Sequence, residues 1–243
     1  MGVIETTDDG FLGGLVRVHQ FRRGFRSGLD AVVLAAAVPV KCGDTVLELG
    51  SGAGVASLCV AARVPGCAIT GVELNPDLVS LANENAGANG MASRVRFVQA
   101  DGLNLPPELR TAFDHVLCNP PFHDSEGDTS PNATRAQALQ DSGDLPRWLK
   151  TGTKRTASNG TFSSILRADR LNEALDALPR HGVSVFPLWP KQNEPAKRVI
   201  IQLRRGKRTP FALLPGLVLH QQDGSYTREA EAILRGVAPL PIF

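Results

Sequence analysis

The chain has 243 residues, with 42% hydrophobic, 21% charged and 5% aromatic residues and a formal net charge of +2. This composition excludes a disordered or fibrous protein, and no apolar run is long enough to cross a membrane, so we expect a globular protein without a membrane partner. The four cysteines lack the spacing of metal ligands, which predicts a cytoplasmic protein without a bound metal ion.

The first forty residues contain two predicted elements. Residues 15–19 alternate apolar and polar side chains, as a half-exposed strand does. Residues 27–38 are rich in Ala, Val and Leu, and Pro39 follows them, which predicts a buried helix that ends at the proline. We expect residues 1–40 to form an N-terminal extension and residues 41–243 to form the core of a single domain.

From Asp44 onward, short apolar strands alternate with helices. The predicted strands are residues 45–49, 68–73, 94–99 and 113–118, and the predicted helices are residues 54–63 and 76–88. Asn75 is the expected N-cap of the second helix, whose first residue is Pro76. Strands separated by helices form βαβ units, so the pattern predicts an α/β fold with a mostly parallel sheet covered on both faces.

The second half of the chain begins with a long segment, residues 123–143, that has no periodicity, which is typical of a functional loop or of a disordered segment. Beyond it we expect helices and extended segments, with the added strands pairing antiparallel at the edge of the sheet. The predicted helices are residues 145–156, 171–178 and 226–235, and the predicted extended segments are residues 161–166, 183–188, 198–203 and 211–219.

A glycine-rich turn joins the first core strand to its helix and reads Glu48-Leu49-Gly50-Ser51-Gly52-Ala53-Gly54. Glycines let a backbone turn sharply and approach a ligand, and nucleotide cofactors lie across the carboxyl ends of parallel strands. The spacing is not the G-x-G-x-x-G of pyrophosphate-binding loops. The Glu48 carboxylate would repel a pyrophosphate but attract the cationic methionine end of S-adenosylmethionine. We therefore assign a cofactor site to Glu48, Gly50, Ser51, Gly52 and Gly54.

Two more acidic residues stand at strand ends. Glu73 ends the second core strand, where its carboxylate can accept both ribose hydroxyls of a nucleotide. Asp101 and Gly102 follow the third strand and can hold the adenine of the cofactor. Glycines that only make a turn, beside solvated acids, are the alternative, but acids at three strand ends favour the cofactor. We add Glu73, its neighbour Leu74, Asp101 and Gly102 to the site, together with Asn119 after the fourth core strand.

The segment Asn119-Pro120-Pro121-Phe122 directly follows the fourth core strand. Two prolines fix the backbone and remove two N–H donors, so the Asn119 side-chain oxygen and the Pro120 carbonyl remain as acceptors. Two acceptors suit an amine with two hydrogens to donate, and Phe122 can stack on the ring that carries the amine. An ordinary Pro-rich turn with a buried Phe is the alternative. The position after the fourth strand favours a catalytic loop that methylates an exocyclic amine.

Basic residues gather near both ends of the chain. Either cluster alone could be a solvated face, but a polyanionic partner such as RNA would explain both. His123, beside the catalytic segment, could contact the substrate or serve only as a structural hydrogen-bonding residue. The two clusters are Arg17, Arg22, Arg23 and Arg26, and Lys197, Arg198, Arg204, Arg205, Lys207 and Arg208.

These motifs resemble class I methyltransferases that carry the N-P-P-[FYW] motif. The flanks, residues 20–31, 195–199 and 219–229, are similar to the bacterial tRNA1(Val) adenine-37 N6-methyltransferase family. The resemblance implies a Rossmann-like fold with a seven-stranded, mostly parallel sheet, S-adenosylmethionine as methyl donor and tRNA as substrate. It also implies that the N-terminal segment closes over the cofactor, which gives Arg26 and Asp30 roles in cofactor binding. We assign RNA contacts to Arg17, Arg22, Arg23, His123, Lys197 and Arg198, and expect a monomer or weak dimer.

Three alternatives remain at this stage. The segment from Asn119 to His123 also resembles ribosomal RNA guanine-N2 methyltransferases, which usually carry a duplicated silent domain. Protein glutamine methyltransferases share the motif but usually carry a helical N-terminal domain of substantial size. A non-catalytic binding module would keep the fold, yet it would not need the acceptors at Asn119. The adenine-N6 reaction on tRNA is the leading interpretation.

Overall fold

The computed structural model describes residues 5–121 and 145–242. Phe122, His123 and the loop expected at residues 123–143 lie outside these ranges. Within the described ranges, no helix is long and apolar enough to span a bilayer. The same ranges contain no group of three or more His, Cys, Asp or Glu side chains arranged to hold a metal ion.

An antiparallel hairpin, β1 (Thr6–Phe11) and β2 (Val16–Phe21), lies apart from the main sheet. The predicted strand at residues 15–19 is confirmed as β2, which buries alternate residues. The sequence does not predict β1, because its residues are mostly polar. Pairing with β2 along its whole length, rather than an apolar pattern of its own, makes this segment a strand.

Two asparagine side chains attach β2 to the helix α3 (Pro76–Ala88). Asn85 donates to the carbonyl of His19 and accepts from its N–H, at 3.0 and 2.8 Å. Asn89 makes the same pair of bonds with Arg17, at 2.7 and 3.0 Å. Each side-chain amide thus pairs with the backbone of β2 through one donor and one acceptor, as a neighbouring strand would. Asn85 also donates to the carbonyl of Ala53 at 3.1 Å, so the hairpin is held beside the glycine-rich turn.

The main sheet contains nine strands in the described part of the chain. They are β3 (Thr45–Leu49), β4 (Ala68–Glu73), β5 (Val95–Gln99), β6 (Phe113–Cys118), β7 (Thr156–Arg167), β8 (Val183–Lys191), β9 (Arg198–Arg204), β10 (Ala212–Leu213) and β11 (Leu217–His220). Seven of them form the body of the sheet in the order β8-β9-β7-β6-β3-β4-β5, which matches the expected Rossmann-like sheet. The short β10 and β11 both pair with β8 at one side of it.

The direction of the added strands differs from the prediction. β9 is antiparallel to β7 and β8, as expected. The prediction is wrong for β10 and β11, which run parallel to β8. Consequently, among the described strands of the main sheet only β9 is reversed. The carboxyl ends of β3, β4, β5, β6, β8 and β11 share one edge, and nucleotide ligands bind at such an edge.

Helices cover both faces of the sheet. Besides α3, they are α1 (Leu29–Ala37), α2 (Val55–Arg63), α4 (Leu145–Arg155), α5 (Leu171–Ala177) and α6 (Arg228–Leu234). The helices bury two apolar clusters: one packs residues of α1, α2, α3 and α6 against the sheet and the hairpin, and the other packs residues of α4 and α5 against the opposite face. Asn75 caps α3 by accepting from Asp77 N–H at 2.9 Å, as predicted.

Candidate cofactor and catalytic site

The loops that follow β3, β4, β5 and β6 meet at one edge of the sheet. Leu49, the last residue of β3, pairs with Val72 on one side and with Cys118 on the other. The glycine-rich turn and the loop at Asn119 therefore follow two adjoining strands, β3 and β6. Glu73 pairs with Gln99 at the end of β5, which places the Asp101 loop beside the Glu73 loop. The structure brings together the loops that the sequence assigned to the cofactor and to catalysis.

The glycine-rich turn leaves the sheet through three glycines with left-handed backbone, Gly50, Gly52 and Gly54, at φ values of 71°, 53° and 88°. The N–H groups of Gly50 and Ser51 both donate to the carbonyl of Val72 at 2.9 Å, which anchors the turn to β4. A Cβ atom on Gly52 would meet no atom within 4 Å. This side of the turn is therefore open to a ligand.

The carboxylate of Glu73 lies directly against the turn. One oxygen accepts from Gly52 N–H at 2.9 Å, and the other accepts from Asn75 N–H at 3.0 Å. These bonds fix the carboxylate at the end of β4. The next side chain, Leu74, is 42% exposed and offers an apolar face beside the carboxylate. A hydroxyl acceptor beside an apolar surface fits the ribose and adenine of a nucleoside.

Asp101 is exposed at the start of its loop, and its side chain accepts from Leu103 N–H at 2.8 Å. Gly102 lies against the ring of Trp148 from α4, where an added Cβ would sit 2.8 Å from the indole. The same ring would lie 3.4 Å from a Cβ on Gly50. The Trp148 ring therefore packs against both cofactor loops, the glycine-rich turn at Gly50 and the loop at Gly102. The sequence analysis missed this role, because nothing local links Trp148 to either glycine.

We expect Gly102→Ala to destabilise the protein by about 1–3 kcal/mol, because the indole of Trp148 must move to admit the methyl group. Gly87→Ala is the matched control. Gly87 lies in α3, and a Cβ there would meet no atom within 4 Å. The control should gain about 0.5–1 kcal/mol from helix propensity. Urea unfolding of the two variants measures the difference, and equal stabilities would contradict the packing role of Trp148.

Glu48 is buried behind the glycine-rich turn. Its carboxyl accepts from the N–H of Ser57, at 3.0 Å, and from the Ser57 hydroxyl, so it caps the first turn of α2 from inside the protein. Burial raises the pKa of Glu48 to about 8, an effect that the Ser57 bonds oppose and the nearby Glu73 charge reinforces. The free protein thus holds Glu48 largely protonated at neutral pH, whereas the sequence interpretation assumed an anion.

We expect the stability of the ligand-free protein to fall as pH rises toward 8. The folded state holds the Glu48 proton more tightly than the unfolded chain does, so the stabilising effect is complete below the unfolded pKa. It is lost as pH rises through the folded pKa, with a slope of at most about 1.4 kcal/mol per pH unit. Glu48→Gln should remove this slope. Urea unfolding at about pH 5.5 and about pH 8 tests this, and identical slopes in both proteins would contradict it.

Asn119 directly follows β6 and is partly buried. Its Oδ1 atom is buried, and within residues 5–121 and 145–242 it accepts no hydrogen bond. A buried acceptor without a partner is costly, and a ligand that donates a hydrogen bond to this atom would satisfy it. The adjacent Pro120 is buried and contributes no N–H. The geometry fits an acceptor for an amine at the end of β6.

The N-terminal basic residues are exposed, and most contact nearby acids. Arg17 pairs with Asp8, and Arg22 lies 3.7 Å from Glu5. The Nη2 of Arg26 donates to both carboxylate oxygens of Asp9, at 2.7 and 2.8 Å. Arg23 is exposed in the same segment. The segment also exposes Phe25, at 71%, which the sequence analysis missed although an aromatic residue between arginines is a usable signal.

The C-terminal basic run is not one cluster. Lys197 and Arg198 lie at the start of β9, on the edge that carries the cofactor loops, while Arg204 to Arg208 lie at the opposite end. The seven residues of β9, from Arg198 to Arg204, span roughly 20 Å and so keep the two groups apart. Arg198 pairs with Asp30 at 3.0 Å, so the structure joins a predicted RNA contact to a predicted cofactor contact.

Comparisons with known proteins relate this chain to methyltransferases. Residues 28–145 match the model of the methyltransferase small domain. A tRNA1(Val) (adenine(37)-N6)-methyltransferase of Shewanella amazonensis is 30% identical over 92% of this chain and 90% of that protein. The relative of the same name from Haemophilus influenzae is 25% identical over 90% and 93%, respectively. A solved structure from Agrobacterium tumefaciens, described as a predicted O-methyltransferase, covers 87% of this chain and 98% of its own with a TM-score of 0.73 at 22% identity.

The structural likeness confirms the Rossmann-like α/β fold. The sequence relatives extend over about nine-tenths of both chains, well beyond the catalytic core. A relative that is 30% identical over nine-tenths of both chains identifies the family. The chain belongs to the tRNA1(Val) (adenine(37)-N6)-methyltransferase family.

Proposed function

We propose that this protein transfers a methyl group from S-adenosylmethionine to the exocyclic N6 amine of an adenine in tRNA, next to the anticodon. The observation that carries the proposal is the buried Oδ1 of Asn119, an acceptor that no described group satisfies, at the end of the strand beside the glycine-rich turn. The names of the relatives support tRNA adenine 37 as the target.

The cofactor would lie along the carboxyl edge of β3, β4 and β5. We assign the ribose hydroxyls to Glu73, the adenine to the exposed face of Leu74 and to the Asp101–Gly102 loop, and the methionine end to the open side of the glycine-rich turn. Because Glu48 lies behind that turn, a cationic ligand would favour its ionised form. When bound, S-adenosylmethionine supplies an electrophilic methyl group on its sulfonium.

Asn119 would act on the amine of the substrate. The lone pair of an exocyclic amine is delocalised into the ring, so the amine is a weak nucleophile. The Asn119 Oδ1 and the Pro120 carbonyl would accept its two hydrogens, favour a more tetrahedral nitrogen and aim the lone pair at the methyl group. Uptake of the methyl group would leave the amine nitrogen with one proton in excess, and that proton would pass to water. Pro121 would hold the backbone rigid, and Phe122, outside the described residues, would stack on the base.

The basic residues at the active edge would bind the RNA backbone. Arg17, Arg22 and Arg23 on the hairpin side and Lys197 and Arg198 at the start of β9 flank the loops of the site. The partners of Arg17 and Arg22 are exposed carboxylates, and exposed pairs are weak, so phosphates can replace them at little cost. His123 would contribute a further contact from outside the described residues.

We further propose that residues 1–40 and 41–243 work as one domain, with the hairpin segment closing over the cofactor. Arg26 and Asp30 would then contact the cofactor after leaving Asp9 and Arg198. The contacts of Asn85 with the hairpin and with Ala53 support this coupling. We also propose that the protein is cytoplasmic and is a monomer or a weak dimer.

Mass spectrometry of nucleosides from total tRNA of a deletion strain tests the function. We expect loss of N6-methyladenosine from tRNA and its restoration by the wild-type gene. Purified enzyme with S-adenosylmethionine should methylate the hypomodified tRNA and yield S-adenosylhomocysteine. Unchanged N6-methyladenosine together with loss of N2-methylguanosine would replace this proposal with the guanine-N2 reaction.

A further inference from the structure

The active edge of the sheet extends well beyond the cofactor loops. β8 and β11 are parallel to one another and end at the same edge as β3 to β6. Trp189 is in register with Val218, and Lys191 is in register with His220. Because side chains alternate along a strand, all four of these side chains lie on one face. None of them has a role in the proposed cofactor or catalytic site.

A cavity of about 440 Å³ lies on this part of the surface, lined in part by Trp189, Lys191, Glu194 and Val218. Its volume is within the range of small-molecule sites and is sufficient for a nucleoside. The indole of Trp189 is fixed because its Nε1 donates to the carbonyl of Pro215 at 3.0 Å. A held aromatic side chain in the wall of a cavity is a surface on which a base can pack.

A second aromatic surface lies beside the cavity. The rings of His220 and Tyr226 stack with centroids 4.7 Å apart and an angle of 24° between their planes. Tyr226 is the only tyrosine of the chain and is 39% exposed. Asp223 holds the turn between the two rings by accepting from Ser225 N–H at 2.9 Å. The pair is therefore presented by a fixed turn, with part of the tyrosine facing solvent.

This surface carries two lysines that can contact a phosphate backbone, close to two carboxylates, Glu194 and Asp223. Lys191 is next to His220 and donates to the carbonyl of Gln222 at 3.2 Å, and Lys197 is exposed where β9 begins. Glu194 is the acidic side chain in the cavity wall, where it can accept from a base amine. Aromatic rings interleaved with cations are the features that bind single-stranded nucleic acid.

We propose that the edge platform, defined as Trp189, Lys191, His220 and Tyr226, binds an unpaired nucleotide of the RNA substrate several positions away from the methylated base. Four strand intervals separate β6 from β11, a span of about 19 Å. A stacked strand advances about 3.4 Å per nucleotide, so the two sites are about five or six stacked nucleotides apart. This inference rests on the proposed RNA methyltransferase function and adds a second point of recognition to it.

Steady-state kinetics on two RNAs test the platform. One substrate is an unmodified tRNA transcript, and the other is an oligoribonucleotide of about five nucleotides centred on the target adenine, which is too short to reach the platform. Tyr226→Ser should raise the KM for the transcript about 10-fold, with kcat and the KM for S-adenosylmethionine unchanged. Tyr226→Phe should restore the KM because it keeps the ring. The oligonucleotide should be methylated equally by all three proteins.

Lys191→Gln gives an independent measurement. It should weaken binding of the transcript and reduce its dependence on salt, because a phosphate contact is lost. The matched control is Lys41→Gln, an exposed lysine before β3, at the opposite edge, and it should bind as the wild type does. Equal binding by the Lys191 and Lys41 variants would overturn the charge argument.

The platform is overturned if Tyr226→Ser leaves the KM for the transcript unchanged. It is also overturned if that variant loses activity equally on both RNAs or raises the KM for S-adenosylmethionine, because the pair would then only stabilise the fold. A wild-type enzyme that methylates no adenine in tRNA would refute the proposed function instead. In that case direct binding of the labelled transcript to wild type, Tyr226→Ser and Tyr226→Phe still decides whether the platform holds RNA.

Discussion

Replacing Asn119 with alanine should lower kcat for methyl transfer at least about 100-fold, the loss typical of removing one preorganised polar group from an active site. The buried Oδ1 of Asn119 has no partner in the described residues, so its removal breaks no structural bond there. Affinity for S-adenosylmethionine, measured by calorimetry, should change little. A loss confined to kcat indicates an interaction made mainly in the transition state.

Asn119→Asp serves as the matched variant, because it keeps an acceptor oxygen at the same place and should retain part of the activity that alanine loses. Radiolabelled methyl transfer to hypomodified tRNA measures both variants beside the wild type. If Asn119→Ala stays within about threefold of wild-type kcat, the acceptor is not catalytic and the role assigned to this loop is wrong.

Glu73→Gln should weaken binding of S-adenosylmethionine by about 10- to 100-fold, with a much smaller change in kcat. Hydrogen bonds to a charged group contribute about 1.5–3 kcal/mol, and the variant replaces one carboxylate oxygen with a donor. That donor would face either Gly52 N–H or Asn75 N–H, both of which donate to Glu73 in the structure. Isothermal titration with S-adenosylmethionine and with S-adenosylhomocysteine gives the affinity.

Asp77→Asn is the control for the loss of a negative charge near the cofactor loops. Asp77 is an exposed carboxylate in the first turn of α3, four residues beyond Glu73. Its removal should leave cofactor affinity unchanged. Equal affinities for Glu73→Gln and Asp77→Asn would show that Glu73 does not bind the ribose.

Much of the fold could be predicted because the elements that build it carry strong local patterns. β3, β4 and β6 and the helix α3 have the bounds expected from the sequence. Their apolar runs, the Asn75 cap and the glycines after β3 act within a few residues, so they can be read directly from the chain. The site residues at these strand ends could be proposed for the same reason, since parallel strands bring their ends to one edge.

Other features depend on contacts between residues far apart in the chain. β1 becomes a strand through its pairing with β2. β2 is in turn attached by Asn85 of α3 and by Asn89, which directly follows α3, about seventy positions away. The basic run from Lys197 to Arg208 looks continuous in sequence, but β9 passes through it and separates its two ends. Strand pairing determines such features, and the local patterns of a single sequence do not show which strands pair.

The sequence by itself determined the α/β class, the methyl donor and the amine acceptor, because the glycine-rich turn, Glu73 and the loop at Asn119 are short motifs at strand ends. Only the tertiary structure decided the environment of these motifs. In the folded protein Glu48 is buried beside Ser57, from which it accepts a hydrogen bond, and burial raises its pKa to about 8. The ring of Trp148 packs against Gly102. The physical reason is that desolvation and packing arise from groups that the chain brings together from distant positions, whereas turn geometry and capping are local.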